Sequence, residues 1–355
     1  MIDFVGNPMR IVLPILLQDK STRKHIIWAT DPPDDIGEDV TDKSQITVDQ
    51  LIKAPDAIQP RIQKELETQQ ERTKKKGEVF TPAWICNLMN NHCDEEWFGR
   101  KNVFNVQCGY TWKIIEEPIV FSCERKWTDY VDSRRLEITC GEAPYLVSRY
   151  DTSTGDYIEP ANRIGILDRK LRVVNENTEN EEEWFKWTLR AFQSVYGYEY
   201  QGDNLLLARG NLLLTFVEYY QNRWKCQPPE KQLRTVANVI AWNLWQMDGL
   251  KDTVPFGNPD IDRLIHCFTL LAIMPELCRD SIKEILTLLN LTDYLKIFDT
   301  RSRPKFEINN ENKKLLTAFK ESNLIDSYQE NPEKEGYYKI IRFKSAMKTL
   351  PQELL

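Results

Sequence analysis

Arg134-Arg135-Leu136-Glu137-Ile138-Thr139-Cys140-Gly141-Glu142-Ala143-Pro144-Tyr145-Leu146-Val147-Ser148-Arg149 is the stretch from which the fold of this chain is read. Leu136, Glu137, Ile138 and Thr139 alternate apolar and polar, the period of a short strand. The chain turns at Cys140-Gly141 and restarts at Pro144, a residue suited to the first turn of a helix. Strand, tight turn and helix together make a ligand site at a helix N-terminus, at the C-terminal end of a strand. The turn carries Glu137 and Glu142 and no lysine, so it is not a phosphate cradle. A cationic sulfonium ligand suits it better. The plain alternative is an ordinary strand-to-helix turn.

Working outward, Gly77-Glu78-Val79-Phe80-Thr81-Pro82 opens a helix, with Thr81 as its cap and Pro82 at its first position. That helix reads Trp84, Ile85, Leu88 and Met89 as an apolar face. Farther along, Val195 to Asp203 ends a strand at Glu199. A long apolar helix follows over Asn204 to Trp224, containing Ala208-Arg209-Gly210-Asn211-Leu212-Leu213-Leu214. After Pro228-Pro229 come a helix (Lys231 to Ile240) and then Trp242-Asn243-Leu244-Trp245-Gln246-Met247-Asp248.

These four fragments, in this order, resemble the DNA adenine-N6 methyltransferases, the modification subunits of restriction–modification systems. The family's S-adenosylmethionine loop runs acid, Pro, Ala, Cys, Gly, Ser, Gly and then an aromatic-Leu pair. Glu137, Cys140, Gly141, Tyr145 and Leu146 fall on that pattern, while Ile138, Glu142 and Ala143 depart from it. The resemblance implies that Phe80, Thr81 and Pro82 border the methionine end of the cofactor. It gives Glu137, Cys140, Gly141 and Glu142 to the cofactor loop, Glu199 to the ribose hydroxyls and Asp248 to the adenine amino group. The 58 positions from Gly141 to Glu199 are long for the family, so the polar segment 151–190 is expected to be an insertion.

The resemblance is weakest where the chemistry would be. Adenine transfer needs an Asn/Asp-Pro-Pro-aromatic motif, whose aromatic stacks on the flipped base. The chain offers Asn258-Pro259-Asp260-Ile261, with Asp260 in place of the second Pro and Ile261 in place of the aromatic. Asn258 and Pro259 are the candidate catalytic residues; a loop between domains is the plain alternative. Asp31-Pro32-Pro33 is a second, poorer match, and reads more simply as a turn.

Composition is compatible with this picture. With 355 residues, 41% hydrophobic and 28% charged, the chain is long enough for two globular domains. Eight Cys without a close pair, and three scattered His, make no zinc pattern, and no metal is expected. No apolar run spans a bilayer, so a cytoplasmic protein with reduced thiols and no membrane contact is expected. A net charge of −7 argues against indiscriminate nucleic-acid binding but not against local basic patches. Lys74, Lys75 and Lys76, at the end of a polar helical stretch from Gln59, are candidate contacts to double-stranded DNA. So are Lys313 and Lys314.

The expected architecture is α/β: a Rossmann-like methyltransferase sheet with insertions, plus a small C-terminal helical, winged-helix-like domain. Residues 1–76 form an α/β and helical lead-in, with strands at Met9–Leu17 and His25–Ala29. Residues 77–256 form the cofactor-binding domain and include strands within Asn102–Trp127. Residues 257–355 hold helices from Ile261 and strands at Ile325–Tyr328 and Tyr337–Phe343. That domain carries 15 Lys and Arg against 15 Asp and Glu from Asn258 onward, so protein contact and DNA contact are both open to it. The function expected is adenine-N6 transfer with S-adenosylmethionine, in company with a restriction or specificity subunit. The alternative is a catalytically inactive recognition or regulatory subunit of the same fold. A dinucleotide enzyme is disfavoured, because the chain has no Gly-x-Gly-x-x-Gly.

Overall fold

The computed structural model describes residues 2–20, 22–37, 39–76, 81–249, 251, 253–257, 307–309, 325–330 and 337–343. The side chains of Asp34, Leu66, Glu67, Lys75 and Lys76, and those of the strands beyond residue 306, lie outside the description. The chain divides into two compact units, one of residues 1–19 and 25–249, the other of 20–24 and 250–355. Both are mixed or β in their described parts, and the protein as a whole is mixed α/β.

The first unit begins with helix α1 (Met9–Leu16). The sequence reads this stretch as a strand, and the structure corrects it. Met9, Val12, Leu13 and Leu16 recur at helical spacing, and all four are buried, so one helical face satisfies them at once. The strand expected at His25–Ala29 is reduced to isolated bridges, His25 to Gln18 and Ile27 to Gln45, with hydrogen bonds to residues 17, 42, 44 and 46, and it ends at Ala29, which is left-handed (φ 50°). Helices α2 (Val48–Lys53), α3 (Leu66–Lys76) and α4 (Ala83–Phe98) follow. A hairpin of β1 (Asn105–Cys108) and β2 (Thr111–Ile114) then leads through α5 (Trp127–Asp132) to β3 (Arg135–Ile138).

Strand β3 starts a three-stranded sheet with β4 (Val195–Glu199) and β5 (Leu244–Gln246), in the order β3-β4-β5 and parallel throughout. Parallel neighbours need crossovers of a dozen residues or more. Helices α6 (Ile166–Asn177) and α7 (Glu181–Gln193) make the first crossover. Helices α8 (Gly202–Trp224) and α9 (Glu230–Asn243) make the second. The segment 151–190 is therefore no bare insertion, since it supplies α6 and most of α7. Helix α6 is hard to see in the sequence because its buried face holds Asp168, Arg169 and Lys170 beside Leu167, Leu171, Val173 and Val174.

Those buried charges are partnered. Arg169 donates to Asp94, Asn87 and Asn91. Lys170 donates to the Val131 carbonyl (2.9 Å), the Ser194 hydroxyl (2.6 Å) and the Ser133 carbonyl, tying the starts of β3 and β4 together. Burial lowers its ammonium to about 7, with the nearby Arg135 adding.

Helix α8 is the post of the unit, buried along nearly its whole length. Gly202 opens it because nothing larger fits: a Cβ there would stand 1.9 Å from the Ile27 carbonyl oxygen. Arg209, 1% exposed, donates to the carbonyls of Leu16, Gln18 (3.1 Å), Ala241 (3.4 Å) and Leu244 (2.6 Å). Leu16 and Ala241 are among the last acceptors of α1 and α9, which have no partner inside their own helices, while Gln18 follows α1 and Leu244 opens β5.

In the second unit, β6 (Glu307–Asn309), β7 (Ile325–Glu330) and β8 (Tyr337–Phe343) make an antiparallel sheet in the order β6-β8-β7. The two strands expected at 325–328 and 337–343 are there, and β6 joins them. The helices expected between Ile261 and Ser322 lie outside the described residues, as does the winged-helix reading that depends on them.

The Arg209 site carries a stability prediction. Arg209→Met keeps the bulk but removes the donor from the buried carbonyls of Leu16, Ala241 and Leu244. At roughly 1–3 kcal/mol for an unsatisfied buried group, a loss of about 3 kcal/mol or more is expected. A guanidinium chloride midpoint equal to that of the unaltered chain would contradict the role given to this residue.

Candidate functional site

Three acids stand at the C-terminal edge of the parallel sheet, one from each strand. Glu137 is in β3, Glu199 ends β4, and Asp248 lies two residues past β5. Ladder pairing holds the strand ends level: Ile138 pairs with Tyr198, and Glu199 with Gln246. The Cys140 N–H donates to the Tyr198 carbonyl (2.7 Å), and the Met247 N–H to the Glu199 carbonyl (2.9 Å), which extends both ladders toward the loops. Gly197 allows this closeness, because a Cβ there would sit 3.0 Å from the Cys140 sulfur.

The loop after β3 is where backbone strain gathers. Thr139 (φ 56°), Gly141 (φ 53°) and Ala143 (φ 66°) are all left-handed, and two of them are not glycine. The Gly141 N–H donates to Glu199 Oε2 (2.8 Å), and the Gln201 N–H to Oε1 (3.0 Å).

Glu137 turns inward while Leu136 and Ile138 turn outward, about half exposed, the reverse of the usual strand pattern. The reason is its carboxylate, which accepts the Leu146 N–H (3.2 Å) and is hydrogen-bonded by the Tyr145 backbone. Burial pushes the Glu137 carboxyl well above the usual range. The two N–H groups pull it back, and the Glu199 charge adds to the rise.

No helix grows from Pro144, which corrects the sequence expectation. The carbonyls of Tyr145 and Leu146 are spent on the N–H groups of Ile166 (2.8 Å) and Leu167 (2.8 Å), so they cannot continue a helix of their own. They satisfy the first turn of α6 instead.

Thr81 and Pro82 come to the same loop. Helix α4 starts at Ala83 with Pro82 as its cap, and Thr81 makes no side-chain capping bond. The cap function passes to Asp151, whose carboxylate accepts the Ala83 N–H (3.0 Å). The Thr152 hydroxyl donates to the Thr81 carbonyl (3.0 Å). Tyr145, in the loop, touches the same helix, its hydroxyl 3.3 Å from Met89 Sδ. The buried face of α4 is Ala83, Cys86, Asn87, Asn90 and Asp94. The apolar face read from the sequence (Trp84, Ile85, Leu88, Met89) is turned out, with Leu88 and Met89 exposed. Burial pushes the Cys86 thiol up, with Glu137 and Asp151 adding.

The other predicted residues are placed less suggestively. Cys140 is buried against Gly197. Glu142 is buried too, with Oε1 accepting the Arg61 N–H (2.8 Å) and Oε2 the Tyr150 hydroxyl. Lys74 is exposed on α3. Phe80, Asn258, Pro259, Lys313 and Lys314 lie outside the described residues, as do the side chains of Lys75 and Lys76. Asp31-Pro32-Pro33 follows Trp28, whose carbonyl takes the Gly202 N–H (2.8 Å), and Ile27, held at both backbone groups by the Gln246 amide (2.8 and 2.7 Å). It therefore enters the edge of the site from the β5 side.

Sequence reading misses the residues that fasten this edge. Asp203, in the first turn of α8, is paired with Lys64 (3.0 Å) and Arg72 (3.0 Å), and Arg72 also reaches the Thr30 hydroxyl (3.2 Å). Arg72 is thus part of the buried framework and not of a free basic run. Asn211 donates to the Glu142 carbonyl (3.0 Å) and accepts from Arg149 (3.1 Å), which with Arg163 clasps Glu218. Among the described residues no cluster of His, Cys, Asp and Glu could hold a metal ion, and no helix is long and apolar enough to cross a membrane.

Compared with protein-family models, with curated proteins and with solved structures, the chain matches none. The arrangement itself must therefore carry the reading. It is an acidic, strand-end site with strained backbone, suited to hydroxyl and cationic groups and unsuited to phosphate.

The Asp203 pair gives a pH prediction. Burial alone would raise its carboxyl, but Lys64 and Arg72 outweigh burial and hold it well below the usual carboxylate range. A depressed folded-state value contributes stability that is present above the ordinary aspartate value, about 3.9, and is lost as pH falls through and below it. Asp203→Asn is expected to lower the melting temperature at neutral pH and to flatten its decline between pH 5 and 3. An equal decline in both proteins would show that the pairing adds nothing.

Proposed function

We propose that the first unit binds S-adenosylmethionine on a Rossmann-like sheet, and that the protein is a DNA adenine-N6 methyltransferase-like modification subunit. The observation that carries this reading is the convergence of Glu137, Glu199 and Asp248 at the ends of three adjacent parallel strands, with the Gly141 N–H on the Glu199 carboxylate (2.8 Å). In such α/β sheets ligands bind outside the carboxyl ends of the strands. Glu199 would accept from the ribose hydroxyls, Asp248 from the adenine amino group, and the carboxylates would favour a sulfonium. Thr81 and Tyr145 would flank the methionine end. Asn258-Pro259 would hold the target amino group in a base flipped out of duplex DNA. A restriction or specificity subunit would be the partner, and the cytoplasm the compartment.

Asp260 and Ile261 favour a second reading, in which the chain binds cofactor and DNA but transfers methyl slowly or not at all. Ile261 can pack against a base but cannot stack on it, a loss of about 1–3 kcal/mol.

Calorimetric titration tests the common part of both readings. S-adenosylmethionine is expected to bind, and Glu199→Ala to weaken it by about 1–3 kcal/mol. Because burial raises the Glu137 carboxyl and a cation favours its ionised form, binding should strengthen with pH and release protons. Unchanged affinity in Glu199→Ala would remove the assignment. Transfer is read separately, with tritiated S-adenosylmethionine and mixed-sequence duplex DNA. Little label is expected from the isolated chain. Robust label on adenine, abolished by Asn258→Ala, would instead show a working transfer motif.

A further inference from the structure

Asp31-Pro32-Pro33, an acid followed by two prolines that the proposed chemistry leaves unused, is built into the strand-end edge. On its N-terminal side the chain is held by the sheet itself. The Gln246 amide, at the end of β5, hydrogen-bonds both backbone groups of Ile27 (2.8 and 2.7 Å) and donates to the Tyr200 carbonyl (3.0 Å), next to Glu199. The Trp28 carbonyl accepts the Gly202 N–H (2.8 Å), and Arg72 spans Asp203 (3.0 Å) and the Thr30 hydroxyl (3.2 Å). On the C-terminal side, Pro33 is extended (φ −61°, ψ 145°), and its carbonyl accepts the N–H of Ile36 (3.3 Å), a residue of the core. Thr30 is 2% exposed and Ile36 8%, whereas Asp31 between them is exposed. Two prolines of fixed φ stiffen the connection. A carboxylate is therefore kept at one place beside the ends of β4 and β5.

Its place along that edge decides which part of a ligand it meets. Tyr145 belongs to the loop after β3, and the end of β5 lies two strands away, about 10 Å at the usual strand spacing. The methionine end of the cofactor is assigned to the β3 side, which leaves the adenosine for the β4–β5 side, where Glu199 and Asp248 stand. Adenosine is neutral and presents two ribose hydroxyls and an amino group, all donors, and carboxylates accept from both kinds. The same junction holds an unsatisfied acceptor, since Gln201, 5% exposed, has an Oε1 without a hydrogen-bond partner. Resting on the cofactor reading, we infer that Asp31-Pro32-Pro33 is a wall of the cofactor site and that the Asp31 carboxylate accepts from the adenosine part of S-adenosylmethionine.

The test is calorimetry on the full chain with S-adenosylmethionine, S-adenosylhomocysteine and methylthioadenosine, the last of which keeps the adenosine and lacks the amino acid. Asp31→Ala is expected to weaken all three by about the same tenfold factor. Asp31→Asn, which keeps an acceptor oxygen, should lose less. The melting temperature should not move in either variant, because the residue is exposed. Weaker binding of the two larger ligands with methylthioadenosine unchanged would put the contact at the amino-acid end and overturn the assignment. Unchanged affinity for all three in Asp31→Ala, or no binding of methylthioadenosine to the unaltered protein, overturns it too and leaves the cofactor reading intact. Failure of the unaltered protein to bind S-adenosylmethionine overturns the underlying reading, and the Asp31 contact with it.

Discussion

A single guanidinium inside the first unit, that of Arg209, does what several packing contacts together would otherwise have to do. It collects the main-chain carbonyls at the end of α1 and at the junction of α9 with β5, and it does so from the middle of α8. A cation so deep costs solvation, and burial lowers it to about 10, with Asp19 and Cys140 acting the other way. It remains charged at neutral pH because helix C-termini present partial negative charge, and four acceptors replace water. The N-terminal segment, the second crossover and the third strand of the sheet are thereby referred to one point.

The same helix sets the site. Six residues before Arg209, Asp203 fastens Lys64 and Arg72, and two residues after it Asn211 fastens the loop after β3. The carboxylates of this region are consequently divided into two kinds. Asp203 and Glu142 are engaged by partners of the framework, and the cations beside Asp203 hold its acid ionised. Glu137 accepts backbone N–H groups, beside the Glu199 charge, and burial keeps its acid easier to protonate. A cationic ligand brought to the strand ends would relieve that second group and leave the first alone. This difference in electrostatic environment, more than the number of acids, separates the candidate site from the scaffold.

Several sequence readings fail for one physical cause, the burial of polar groups. Helix α6 hides because Arg169 and Lys170 are inside. In α4 the side that looks polar is the one that packs, since Asn87, Asn90 and Asp94 meet Arg169, backbone carbonyls and Tyr130 there. In β3 it is Glu137 that faces in. Hydrophobic periodicity assumes that polar means outside, and a largely hydrogen-bonded polar core breaks that assumption. Helix α1 hides for another reason, being short, apolar and interrupted by Pro14, a run that periodicity alone does not assign.

The sequence by itself determined the strands at Glu137 and Glu199 and the helices α8 and α9, because each is a local pattern with its own turn or cap chemistry; the strand before Asp248 was only implied by the resemblance. The sequence also determined two strands of the second unit, Ile325 to Tyr328 and Tyr337 to Phe343. Only the tertiary structure decided that the three strands lie side by side and parallel, that Gly141 reaches Glu199 across 58 positions, and that Glu142 and Arg72 belong to the framework. Those facts depend on which residues meet after the chain has crossed over twice. A pairing between distant carbonyls, carboxylates and amides leaves no periodic trace in the segments that supply them.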